Sequence, residues 1–120
     1  MYGPNLIMEI ISNVEGAKGC LVLGEDGLVL ASNISNYFDK EEVSALSLAM
    51  ISDADKQCKR VQNNQSANVK NLILETDESV FVVSNFSILS EKFVTFTEFS
   101  KFLDVSYIMT AIEKALSTFK

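Results

Sequence analysis

With 120 residues, 48% of them hydrophobic and 22% charged, the sequence has the size and make-up of one globular domain spanning residues 1–120, large enough for a single core. Ten basic against sixteen acidic residues leave a net charge of −6, the wrong sign for a surface that must displace counterions from phosphates, so no nucleic acid partner is expected. Histidine and tryptophan are both absent, which removes Ser-His-Asp and Cys-His catalysis, histidine metal sites and indole stacking platforms together.

In chain order, Pro4 opens a helix, because its missing N–H is not needed in the first turn. Leu6, Ile7, Ile10, Ile11 and Val14 recur at helical spacing, and Gly16 supplies a stop. The stretch EGAKGCLVLGEDGLVLAS (15–32) then raises a chemical question, since Gly19 and Gly24 have the spacing of the first two P-loop glycines. Glu25 and Asp26 follow where a P-loop places its lysine, and two carboxylates repel a phosphate. The glycines therefore turn the chain. Cys20–Leu23 and Leu28–Ala31 read as strands around a Gly24-Glu25-Asp26-Gly27 turn, with Asp-Gly as the hairpin signal. Both runs are nearly continuously apolar, the pattern of a central hairpin covered on two faces.

Asp39 is placed as the N-cap of a long helix reaching about Gln62, with Glu41 and Glu42 suiting the positive end of its dipole. Val43, Leu46, Met50, Ala54, Cys58 and Val61 form one stripe, expected on the sheet. On the other side of the first half stand Ala45, Leu48, Ala49 and Ser52, small or apolar where a solvated helix carries Lys and Glu. Such a helix wants two partners. Either another element of the same chain or a second molecule would supply the second, and a chain this short has few elements to spare. Charge returns at Lys56, Lys59 and Arg60, the last being the only arginine.

After the loop NNQSAN (63–68), Val69–Thr76 and Val80–Phe86 read as strands, the first being a sheet edge with Leu72 and Leu74 on one face and Asn71, Ile73 and Glu75 on the other. SILSEK turns the chain, and Phe93–Phe99 is a fifth strand rich in aromatic and β-branched residues. A last helix after Asp104 buries Val105, Ile108, Met109, Ile112, Leu116 and Phe119. The order αββαβββα gives an α+β fold, a five-stranded antiparallel sheet with helices on both faces.

The uncharged stretch Val43–Ser52 has ten residues, against the roughly 20 that a membrane-spanning helix requires, so no membrane insertion is expected. No basic segment followed by an apolar one opens the chain, so no signal peptide is expected. Cys20 and Cys58 lack CxxC spacing, and two lone thiols point to a reducing cytoplasm.

The amphipathic first helix, VEGAKGCLVLGEDGLVLAS, the helix segment SALSLAMIS (44–52) and VKNLILETDESVFVV (69–83) together resemble the roadblock/dynein light-chain family over nearly the whole chain. That resemblance implies a profilin-like roadblock architecture with no catalytic residues, cofactor or metal. It also implies a homodimer in which second helices pack together and third strands pair edge to edge, acting as a regulator or scaffold that binds a small Ras-like GTPase. The dimer interface so implied consists of Ala45, Leu48, Ala49, Ser52, Lys56, Asn71, Ile73 and Glu75. Two alternatives stay open: a PAS- or GAF-like sensor of a small ligand, and a structural scaffold subunit with no GTPase partner.

Overall fold

The computed structural model describes residues 3–101 and 103–119. Its elements are α1 (Pro4–Ser12), β1 (Ala17–Gly24), β2 (Val29–Ser32), α2 (Lys40–Gln62), β3 (Asn71–Glu75), β4 (Ser79–Ile88), β5 (Glu91–Ser100) and α3 (Val105–Ser117), in the order the sequence predicts. The strands form one antiparallel sheet in the order β2-β1-β5-β4-β3.

Strand alternation sends two sets of side chains to opposite faces. Cys20 and Val22 of β1, Val80 and Val82 of β4, and Phe93 and Phe99 of β5 pack with Ile7 and Ile11 of α1 and Ile108 and Ile112 of α3. Leu21, Leu23, Val83, Val94 and Phe96 point the other way, where Ile51 of α2 and Ile34 join them. One face is thus covered by α1 and α3 and the other by α2. α1 ends at Ser12, short of Gly16, where the stop was expected.

The hairpin β1–β2 is not central. β1 is buried along most of its length, but β2 is the sheet's outer strand, with Leu28 and Leu30 exposed. The register places Val22 opposite Ala31 and Leu23 opposite Val29, so Leu30 is an extra residue that bulges from the ladder. An apolar run therefore stood for two covered faces where one residue in fact leaves the pleat.

The turn itself works as the Asp-Gly signal requires. Asp26 Oδ1 accepts the Leu28 N–H at 3.1 Å, and Gly27 takes φ +89, open to residues without a Cβ. Gly19 is constrained differently. A Cβ there would stand 2.8 Å from Ile34 Cα and 3.0 Å from the Asn33 carbonyl oxygen, where the chain leaving β2 crosses β1.

α2 begins as expected, with Asp39 Oδ1 accepting the Glu41 and Glu42 N–H groups, and ends on Asn63 in the left-handed region. Its sheet-facing side, however, is rotated from the predicted stripe. Ser44, Ser47 and Ile51 are buried, whereas Leu46, Cys58 and Val61 are exposed. Ser44 Oγ donates to the Gly27 carbonyl oxygen at 2.6 Å, so a hydroxyl replaces an apolar contact between α2 and the turn.

Candidate functional site

Helical geometry advances 100° per residue, so Ala45, Ala49, Ser52 and Lys56 share one strip of α2, and all four are exposed. Leu48 does not belong with them. It packs into the cluster beneath α2, and its Cδ1 would meet a Cβ on Gly27 at 2.9 Å. The sequence patch thus loses Leu48 to the core and keeps its small residues. Small side chains on an exposed strip let a second helix approach closely.

β3 forms the other outer edge of the sheet. Lys70 accepts the Asn85 N–H and Thr76 donates its N–H to Ser79, both at 2.8 Å. Between these bonds the register runs Asn71 to Ser84 through Glu75 to Val80 without a shift. Antiparallel ladders alternate, so Leu72 and Leu74 bond inward to β4, while the N–H and C=O groups of Asn71, Ile73 and Glu75 point to the open edge. The Asn71 side chain is already occupied, accepting from Ser84 Oγ at 2.7 Å, so only its backbone faces outward.

The two edges of the sheet differ in kind. β2 is four residues long and bulged at Leu30, a device that blunts an edge against pairing. β3 has no bulge and no proline.

A groove of ≈ 380 Å³ runs between α2 and β3, lined by Phe38, Val43, Leu46, Met50, Leu74 and Phe81, among others. Leu46 is 52% exposed beside it, and Val61 further along the helix 85%. Sequence reasoning missed both as surface residues because it assigned their stripe to the sheet; the buried serines were the only signal to the contrary. Further along, α2 is clipped to the segment that leads into β3. Asp55 Oδ1 accepts the Val69 N–H at 2.8 Å, Asp55 Oδ2 pairs with Lys59, and Lys59 Nζ donates to Asn68 Oδ1 at 3.0 Å. The bond from Lys59, with that from the Val69 N–H, holds the Asp55 carboxyl below its usual range.

Among the described residues no cluster of Cys, Asp and Glu could hold a metal. The Cys20 thiol is buried and accepts from Thr97 Oγ1 at 3.7 Å; burial pushes its pKa up to about 12, so it is not a nucleophile near neutral pH. Among the described residues, no helix is long and apolar enough to cross a membrane.

The Roadblock/LC7 domain profile matches residues 5–87. Two uncharacterised proteins of Methanocaldococcus jannaschii are similar over 80 residues: MJ0310 at 29% identity, covering 61% of this chain and 70% of its own, and MJ0714 at 28%, covering 61% and 68%. Among solved structures, Myxococcus xanthus MglB aligns with a TM-score of 0.75 at 15% identity, covering 98% of this chain and 88% of that one. A Roadblock/LC7 domain from Streptomyces avermitilis aligns with a TM-score of 0.73 at 14% identity, covering 98% and 94%. A structure of MglB in a tetrameric arrangement aligns with a TM-score of 0.72 at 13% identity, covering 99% and 90%. Sheet order, helix placement and the match over residues 5–87 agree: this chain belongs to the Roadblock/LC7 domain family.

Proposed function

We propose that this protein is a non-catalytic dimeric regulator or scaffold whose paired subunits bind a small Ras-like GTPase. The observation that carries the dimer is the regular, unblunted edge of β3 beside an α2 strip of small residues, in a sheet whose other edge is bulged. An open edge of this kind is an aggregation hazard unless a strand covers it, and a two-fold axis lets a second copy do so. Ala45, Ala49, Ser52 and Lys56 of α2 and Asn71, Ile73 and Glu75 of β3 form the interface, with Leu48 acting from below by holding α2 to the turn. That a related MglB adopts a tetrameric arrangement supports self-association of this fold.

The GTPase partner is what the family resemblance implies, and the MglB-like fold supports it in kind. A reducing cytoplasm suits it, and the two cysteines are free, Cys20 buried and Cys58 exposed. The interface is tested by sedimentation of the parent protein and Ala49→Glu, which places two like charges near the axis. The parent sediments as a dimer and the variant as a folded monomer; a parent that is monomeric at high micromolar concentration refutes the interface. The GTPase is tested by titrating each small Ras-like GTPase of the source genome, loaded with a fluorescent GTP analogue, and reading anisotropy. Saturable binding to one of them is expected, and binding to none refutes the partner. A thermal-shift screen against metabolites addresses the sensor alternative, because a ligand raises the midpoint by mass action and a scaffold shows no such shift.

A further inference from the structure

The exposed strip of α2 is ordered by charge along its length. Glu42, Ala49 and Lys56 are spaced by seven residues, two helical turns, so they share one line with a drift of about 20° per step. Ala45 and Ser52 fill the same strip between them. The acidic end carries Glu41 and Glu42 and the basic end Lys56 and Arg60, all exposed. Neither Glu42 nor Lys56 has an ion-pair partner among the described residues of its own protomer.

We infer that two copies of α2 pack antiparallel about an axis through Ala49, with Glu42 of each protomer paired to Lys56 of the other; this rests on the dimer proposed above. In an isologous contact, residues equidistant from the axis meet. Centring on Ala49 puts Ala against Ala at the closest approach, Leu46 against Ser52, and opposite charges at both ends. Sliding the axis half a heptad toward the C-terminus brings Asp53 of one protomer beside Asp53 of the other and leaves Glu42 unopposed. Sliding it equally toward the N-terminus sets Glu42 against Ala49 and leaves Lys56 beyond the contact. Of these three registers only the central one matches charge, and it does so with Lys56, which is unpaired among the described residues, rather than Lys59, which is held by Asp55 of its own protomer; the strip thereby favours its own alignment as well as its partner.

The test is charge exchange, read by sedimentation equilibrium at low and high salt. Glu42→Lys or Lys56→Glu alone creates two like-charge contacts per dimer and weakens association by about 10- to 100-fold at low salt. The double variant Glu42→Lys/Lys56→Glu recreates both pairs with reversed sign and returns the dissociation constant to within about threefold of the parent. Both side chains are exposed, so circular dichroism of all four proteins is expected to coincide. A dimeric parent whose single variants associate normally, or whose double variant shows no recovery, overturns the register and leaves the dimer standing. A monomeric parent overturns both.

Discussion

Gly19→Ala tests whether the opening glycines serve the fold or a phosphate. The added Cβ would lie 2.8 Å from Ile34 Cα, 3.0 Å from Asn33 O and 3.4 Å from Ile34 N. All three are backbone atoms, so no side-chain rotation relieves the contact and the strand crossing must open. Overpacking of that kind costs about 1–3 kcal/mol. The same crossing holds two hydrogen bonds, Cys20 N–H to Asn33 Oδ1 at 2.7 Å and Asn33 N–H to the Cys20 carbonyl at 3.0 Å. Stretching them costs about 0.5–1.5 kcal/mol each, for a total of about 2–6 kcal/mol. Urea unfolding followed by far-UV circular dichroism reads this as a lower midpoint at unchanged slope, and thermal unfolding as a fall of roughly 10 °C. A loss under about 0.5 kcal/mol, within the range of ordinary surface substitutions, would show that the crossing does not require glycine. A nucleotide affinity that disappears with the stability intact would show that the stretch is a phosphate cradle after all.

Three further outcomes follow from local geometry. Leu89 and Ser90 form the β4–β5 turn at φ 51 and 70, in the left-handed region that costs an L residue roughly 1–2 kcal/mol, and Leu89 is 86% exposed; Leu89→Asn/Ser90→Gly is expected to stabilise the fold by about 1–2 kcal/mol in urea, and a destabilised variant would mean the leucine is held by contacts. Asp55 has its folded-state pKa lowered below 3.8, so its contribution is present above that value and is lost as pH falls through the lower folded one; stability curves of the parent and Asp55→Asn should converge below about pH 4, and a constant gap down to pH 2 would contradict the clip. Arg60 is exposed late in α2, so if a cognate GTPase is stimulated, Arg60→Ala leaves most of the rate; a loss of about 10³–10⁵ would make it an arginine finger.

What the sequence made legible depended on whether one residue type had one physical meaning. Asp39 with Glu41 and Glu42 could only be a helix start, and the cap forms there. The alternation of Leu72 and Leu74 against Asn71, Ile73 and Glu75 separated the two side-chain faces of β3, but which set bonds outward is settled only by the ladder, through the Asn85 N–H to Lys70 and Thr76 N–H to Ser79 bonds. α2 misled where hydrophobicity and burial part company. Ser44 and Ser47 are buried while Leu46 and Val61 are exposed: the Gly27 carbonyl rewards the Ser44 hydroxyl, Ser47 Oγ is buried without a hydrogen-bond partner, and an open groove leaves Leu46 uncovered. β2 misled because a bulge leaves no mark in composition. The turn at Leu89-Ser90 had neither Gly nor Asn to announce its positive φ, and its strain is visible only in the backbone.

The most direct measurement is hydrogen exchange at the amides of β3. Leu72 and Leu74 bond to β4 and are protected in either state, which makes them internal controls. The Ile73 amide points to the open edge, so only a second copy of β3 can protect it. It is predicted to exchange slowly at concentrations where the parent dimerises, and to lose that protection on dilution and in Ala49→Glu. An Ile73 amide that exchanges at the unprotected rate at every concentration, while Leu72 and Leu74 stay protected, would contradict the paired edge.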